Sequence, residues 1–271
     1  SKTTIGPNYK KNLPEQNVLN WAPSVMFRYM FNKQHVLMFR YRGRSSTPNI
    51  EDLQEVIDIT DPMNLRYGNP NLKPSFNNNF TLDYRKFVPE SMRSYSANLY
   101  YTSTLNSVAN RMTYDPQTGA RVYKKENVNG NWQARGFFSF NTPLKNKKFT
   151  ISSNTNARFS DAVSYTSVGS SKNADQELST THNLGLGERF TSSYRSEVFD
   201  ISLSGSVNYN LVRNSKQENS NRETFDYYIG GNTNVNLPWQ VSISTDINCR
   251  FKDGYTGGLN NTEVMWNAQI S

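Results

Sequence analysis

The stretch FDYYIGGNTNVNLPWQVSISTDINCRF, residues 225–251, decides the fold because it alternates almost without interruption. Its odd positions run Phe225, Tyr227, Ile229, Gly231, Thr233, Val235 and Leu237, and after Pro238 continue as Trp239, Val241, Ile243, Thr245, Ile247, Cys249 and Phe251. Its even positions are small and polar, mostly Asn, Ser and Asp, with Asp246 and Arg250 among them. Side chains on a strand point alternately to opposite faces, so each half is a strand with one greasy and one wet face. Each half is also about twice the usual strand length of roughly 5–6 residues. Long two-faced strands joined by tight turns predict a barrel that is apolar outside and polar inside.

Working outward, the same pattern recurs along the chain and gives about eleven strands. Val25, Phe27, Tyr29 and Phe31 share one parity; so do Leu37, Phe39 and Tyr41, then Phe80, Leu82 and Tyr84. Tyr95, Ala97, Leu99 and Tyr101 follow, then Ala134, Phe138 and Phe140, and then Phe149, Ile151 and Phe159. Leu184, Leu186 and Phe190 are interrupted by Glu188, which predicts a bulge or a position above the bilayer. Phe199, Ile201, Leu203, Val207 and Tyr209 precede the opening hairpin, and Val264, Trp266, Ala268 and Ile270 follow it. Connections sort by length: short turns at 32–34, 89–93, 145–148, 192–196 and 238–239 alternate with long loops at 43–75, 105–131, 160–178, 212–224 and 253–262. Outer-membrane barrels sort their connections this way, short at the periplasmic end and long at the extracellular end. The fold class expected is therefore all-β, an antiparallel up-and-down meander of about eleven strands forming part of a transmembrane barrel. Residues 1–17, with Pro7 and Pro14, are expected to be a linker or loop, and 18–271 a partial barrel domain.

Composition agrees. Apolar residues make up 35% of the 271 residues and aromatics 13%, with a mean hydropathy of −0.75. No run of eighteen apolar residues offers a transmembrane helix, yet a barrel shows lipid only alternate residues and escapes that test. The formal charge of +8 fits a solvated polar face; neither a recognition helix nor an aromatic RNA-binding motif accompanies it, so no nucleic-acid partner is expected. Cys249 is the single cysteine and sits on the apolar parity as a small hydrophobe. No apolar run follows Ser1-Lys2-Thr3-Thr4, and the chain stops in mid-alternation, so it reads as a piece of something longer.

Catalytic patterns are missing. His35 and His182 stand far apart without a His-Glu-x-x-His frame, and neither a Walker A loop nor a Gly-x-Ser-x-Gly elbow is present. No enzyme activity, cofactor or metal is expected. Thr47-Pro48 predicts the start of a short surface helix with Ile50, Leu53 and Ile57 on one face, its acids Glu51, Asp52, Glu55 and Asp58 solvated. Asp115-Pro116-Gln117-Thr118-Gly119 predicts a turn at the tip of a protruding hairpin. On the inward parity stand Arg28, Arg40, Arg42, Asp83, Arg85, Arg135, Arg158, Asp200, Asp246 and Arg250, the candidate lumen-lining residues. Tyr114 and Tyr123 on the second long loop are candidate extracellular contacts for a sugar or peptide.

One segment adds a resemblance. Tyr67-Gly68-Asn69-Pro70-Asn71-Leu72-Lys73-Pro74-Ser75-Phe76 resembles the Gly-Asn-Pro-Asx-Leu-Lys-Pro-Glu segment that precedes a barrel strand in TonB-dependent outer-membrane receptors. Arg42 to Pro48 is similar to the lead-in of their Bacteroidota branch, while Ser75 stands where the family has an acid. The resemblance implies a wall segment of a nutrient transporter for a glycan, peptide or metal chelate. It also implies the partners: outer-membrane lipid, a plug domain and further strands of the same protein, the TonB complex through the N-terminal part, and a surface lipoprotein. The alternative is a secreted or surface β-sandwich, an adhesin or carbohydrate-binding module, which would be soluble and would bury its greasy faces between two sheets.

Overall fold

Alternating sequence becomes long hairpins, and the hairpins become one sheet. In the computed structural model the structure describes residues 20–53, 57–58, 61, 63–115, 117–118, 120–144, 147–167, 176–238, 241–255 and 262–270. Eleven strands pair in the order β1 (Ser24–Asn32), β2 (His35–Ser46), β5 (Ser75–Val88), β6 (Arg93–Leu105), β9 (Asn131–Pro143), β10 (Phe149–Ser167), β11 (Gln176–Arg195), β12 (Phe199–Asn214), β13 (Arg222–Leu237), β14 (Val241–Asp253) and β15 (Thr262–Ile270). The remaining strands, β3 (Ile57–Asp58), β4 (Asn64–Tyr67), β7 (Ser107–Tyr114) and β8 (Arg121–Val128), form a second, four-stranded sheet. The eleven-stranded sheet is a meander, every neighbouring pair antiparallel. Among the described residues β1 and β15 do not pair with each other, so the wall is open.

Register carries one parity intact across the wall. Phe39 faces Leu82, Leu82 faces Leu99, Leu99 faces Gly136, Gly136 faces Ala157, Ala157 faces Leu186 and Leu186 faces Tyr209. This greasy face is not covered: Ile229 is 65% exposed, Leu203 61% and Trp266 72%. A soluble sandwich would have buried it against a second sheet, and no such layer forms among the described residues. No helix of the described residues is long and apolar enough to cross a membrane, a fact that leaves strand-built spans untouched. Aromatic pairs border the face, Phe149–Tyr194 with centroids 4.5 Å apart at the short-turn end and Tyr209–Phe225 at 4.7 Å towards the long loops. Beyond the latter, polar groups take over on the same parity: Trp132 Nε1 donates to Asp161 at 3.1 Å, and Nδ1 of His182 lies 2.6 Å from the other oxygen of that carboxylate.

Several expectations change. The helix over residues 47–57 is a single turn, α1 (Ile50–Leu53), and Ile57 opens strand β3, opposite Tyr67. Loops 160–178 and 212–224 are shorter than the sequence reading has them, because β10 pairs with β11 out to Ser167↔Gln176 and β12 runs to Asn214. Strand length there is 19 and 20 residues in β10 and β11, about twice what crossing a bilayer needs. Polar residues conceal this overhang, because a strand standing in water on both sides has no greasy parity. The turn placed near Ser192-Ser193 falls instead after Arg195. No bulge forms at Glu188 either. The β10–β11 register is unbroken, and Glu188 keeps its place on the greasy face, where the hydroxyls of Ser153 (2.7 Å) and Thr155 donate to its carboxylate. Residues 1–17, Glu55 and Trp239 lie outside the described residues.

The two longest loops do not hang free. The β6–β9 hairpin bends where Asn106 and Gly130 adopt positive φ (51° and 103°), and its upper half continues as β7 and β8. Strand β4, from the first long loop, adds to β8 in parallel. The Gly68–Pro74 segment is the clasp. Asn69 Nδ2 donates to the Lys125 carbonyl at 2.8 Å, while Asn127 accepts from the Lys73 N–H at 2.7 Å and returns a bond to the Lys73 carbonyl at 3.0 Å. Lys125 also meets Asp52 at 2.6 Å. This loop sheet leans on the overhang of β10 and β11: the Arg111 guanidinium lies 5.4 Å from the Tyr165 ring centre, Tyr165 donates to Glu126 at 2.7 Å, and the Gln176 side chain accepts the Met112 N–H at 2.7 Å.

Candidate functional site

The face opposite the greasy one holds every candidate inward residue. Register places Arg28, Arg40, Arg42, Asp83 and Arg85 on that face of β1, β2 and β5, Arg135 and Arg158 opposite each other on β9 and β10, and Asp200, Asp246 and Arg250 on β12 and β14. They are spread across the wall and do not converge on one point. Some serve each other or their neighbours. Arg40 donates to Asp83 at 2.9 Å, and Asp83 is only 6% exposed. Arg135 bonds Gln133 at 3.1 Å, Arg195 approaches Asp200 at 3.6 Å, and Asp246 accepts from Asn248 and Asn267 at 2.7 and 3.0 Å.

A concave site does form, over β11 to β14. Three successive cross-strand rows build it: Gly187–Asn208–Asp226–Lys252, Arg189–Ser206–Tyr228–Arg250 and Thr191–Ser204–Gly230–Asn248. Small residues set its floor. A methyl group on Gly187 would run into the Asn156 and Asn208 amides, and one on Gly230 into the Tyr228 hydroxyl, so glycine at both places lets large polar side chains fold over the sheet. The cavity holds about 530 Å³, within the range of small-molecule sites. Arg189 reaches across Ser206 to lie 5.2 Å from the Tyr228 ring centre, a cation–π distance. Tyr228 donates to Asn248 at 2.6 Å, and Asp226 accepts the Tyr255 hydroxyl with both oxygens at 3.0 Å. Lys252 is loosely paired with Glu263, 3.5 Å away.

A polar face and a greasy face that run through all eleven strands of one sheet are what a membrane wall requires, and sequence comparison agrees: the profile of the outer membrane protein beta-barrel family matches residues 2–195. The chain belongs to that family. It is a protein of the bacterial outer membrane. The matched part of this outer-membrane barrel ends at Arg195, and β12 to β15 continue its sheet in register. No curated protein matches the chain. Among solved structures it is similar to LpxR from Salmonella typhimurium, at 10% identity over 91% of this chain and 86% of that one, with a TM-score of 0.27; a likeness that low carries no inference about fold or chemistry.

Of the ten candidate inward residues of the barrel, only Arg250 lines the cup. Arg189, Tyr228, Lys252 and Tyr255, also of the cup, are not among them. Strict parity was the signal that finds Tyr228 and Lys252, since both share it with Arg250. Tyr114 and Tyr123 lie on one face of the β7–β8 hairpin with the buried Met112, and the Tyr123 hydroxyl reaches Asn64 at 3.5 Å. They are half-buried within the loop sheet. Among the described residues no group of three or more His, Cys, Asp or Glu is placed to hold a metal ion.

Proposed function

We propose that this chain is wall of a TonB-dependent outer-membrane transporter, with its polar face turned to the path of a nutrient and no catalysis of its own. The observation that carries the reading is the concentration of charge on one side: ten ionic residues share the polar face from β1 to β14, while Glu188 stands within the greasy one. The Gly68–Pro74 segment, which resembles the receptor motif, supports the finer assignment. On this reading the partners are outer-membrane lipid, a plug domain and further strands of the same protein, the TonB complex and a surface lipoprotein, and the solute is a glycan, peptide or metal chelate.

The test uses cells carrying the full-length protein with and without TonB. They compete with cells lacking the protein on media limited by one oligosaccharide, one peptide mixture or one ferric chelate. A growth advantage on at least one medium that vanishes without TonB is the expected result. An advantage that survives loss of TonB, or none on any medium, sinks the reading.

A further inference from the structure

The chemistry of the cup is selective, and it narrows the class of solute. Its charges do not cancel. Asp226 shares the single Tyr255 hydroxyl hydrogen between its two oxygens and is the one carboxylate of the lining, whereas Arg189 and Arg250 make no ion pair among the described residues and stand in one cross-strand row on either side of Tyr228. Guanidinium groups without a carboxylate partner, held on rigid strands, are forks for an incoming anion, and a carboxylate fills such a fork with two parallel bonds. Asn248 is spent, accepting from Tyr228 and donating to Asp246 at 2.6 and 2.7 Å. Asn156 and Asn208 are different. Their amides close over the Gly187 backbone from the two flanking strands, and neither has a hydrogen-bond partner among the described residues. An amide offers a donor and an acceptor side by side, which matches a hydroxyl that must give and take.

We infer that the cup takes an anionic, hydroxyl-rich solute, a carboxylated saccharide, with its carboxylate on Arg250 and Arg189 and its ring hydroxyls on Asn208 of the lining and on Asn156 of β10 beside it. This rests on the reading of the polar face as the solute's path, and it goes further by naming the chemistry that path selects. Neutral sugars lack the group that answers the arginines. Small inorganic anions such as phosphate lack the ring hydroxyls, set apart from the charged group, that would answer the amides and the arginines together. The cavity of about 530 Å³ is of a size that takes a small saccharide.

The experiment is calorimetric titration of the whole chain in detergent micelles at two salt concentrations. The probes are trigalacturonate, galactotriose of the same length, and inorganic phosphate. Trigalacturonate is expected to bind at least tenfold more tightly than either comparison probe, and to weaken as salt rises. Arg250→Gln and Asn208→Ala should each cost trigalacturonate about tenfold or more, while Lys33→Gln, exposed in the turn between β1 and β2 at the far edge of the sheet, changes nothing; circular dichroism of each variant shows that the sheet is retained. Equal binding of trigalacturonate and galactotriose overturns the anionic site, and phosphate binding as tightly as trigalacturonate overturns the hydroxyl-reading amides. Binding of no probe, or indifference to both variants, overturns the proposal. Micelles contain no TonB, so this outcome is separate from the growth test: tight trigalacturonate binding beside a TonB-independent phenotype would remove the transporter reading alone.

Discussion

The wall and the loop sheet handle apolar side chains in opposite ways. In the wall, large side chains such as Ile229, Leu203 and Trp266 stand outside and exposed. In the loop sheet Leu72, Met112, Ala120 and Val128 are buried, at 3%, 6%, 2% and 5% exposure, and together with Val163 of β10 they are the buried apolar residues of the described chain. One polypeptide thus solves two solvation problems. Where the surroundings are hydrocarbon, the hydrophobic effect gives no reason to hide a leucine, and it is the backbone that must be satisfied, which the sheet does. A few residues further along, water returns and ordinary burial returns with it. Exposure by itself therefore says nothing about importance in this protein; the solvent at each position decides.

That contrast is open to direct attack. The largest effect belongs to Leu72→Ala, where a nearly fully buried side chain leaves a cavity costing about 2–5 kcal/mol. The loss should appear as faster hydrogen exchange over residues 107–128 while exchange in β10 to β14 is unchanged. If the whole sheet loosened equally, the loop sheet would not be the separate unit described. Next comes Ile229→Lys, on a side chain 65% exposed: about 2–4 kcal/mol in denaturant unfolding from lipid vesicles, because the charge enters the bilayer. A soluble protein would show almost nothing there, and so would this one if the greasy face met water.

The smallest effect is one of pH and touches only the loop sheet. Asp115 has its carboxyl held below the ordinary range by the Thr118 hydroxyl and then the Gln117 N–H, and Asp61 is lowered likewise by the Asn64 amide and the Met63 N–H. A lowered native value stabilises the turn above the unfolded value, about 3.9, and that support is lost as pH falls through the lowered native value. Amide exchange rates, corrected for their intrinsic pH dependence, should therefore rise at Gln117 and Met63 on acidification below pH ~4, while those of β10 to β14 hold. Acid sensitivity that began in the long strands would point to the wall as the weaker unit.

The wall was legible in the sequence and the loop sheet was not, for a physical reason. Alternation is a local signal, and lipid on one side with water on the other writes it plainly in residues 225–251. All ten ionic residues picked by parity stand on the polar face for that reason. The loop sheet depends on pairs far apart in the chain, Asn69 with Lys125 and Lys73 with Asn127, 56 and 54 residues apart, and no periodicity announces them. Residues 67–76 by themselves carry only a family signature; their place as a clasp depends on the partner hairpin beside them. The cup lay between these extremes. Parity reaches Arg250, while Arg189 escapes it because Glu188, beside it, breaks the alternation of β11 and hides which face is which. Tyr255 follows the last residue of β14 by two and carries no strand parity at all.

The unbroken register of β10 with β11, from Phe149↔Tyr194 to Ser167↔Gln176, bears on how a gene of this kind can change. Adding or removing one codon within either strand would exchange the two faces for the rest of that strand unless a bulge absorbed it, placing arginines in lipid and leucines in water. Length variation among descendants is thus confined to the connections, while point substitutions that preserve parity accumulate along the strands. Lineages would diverge almost beyond recognition in letters and still keep the same count between turns.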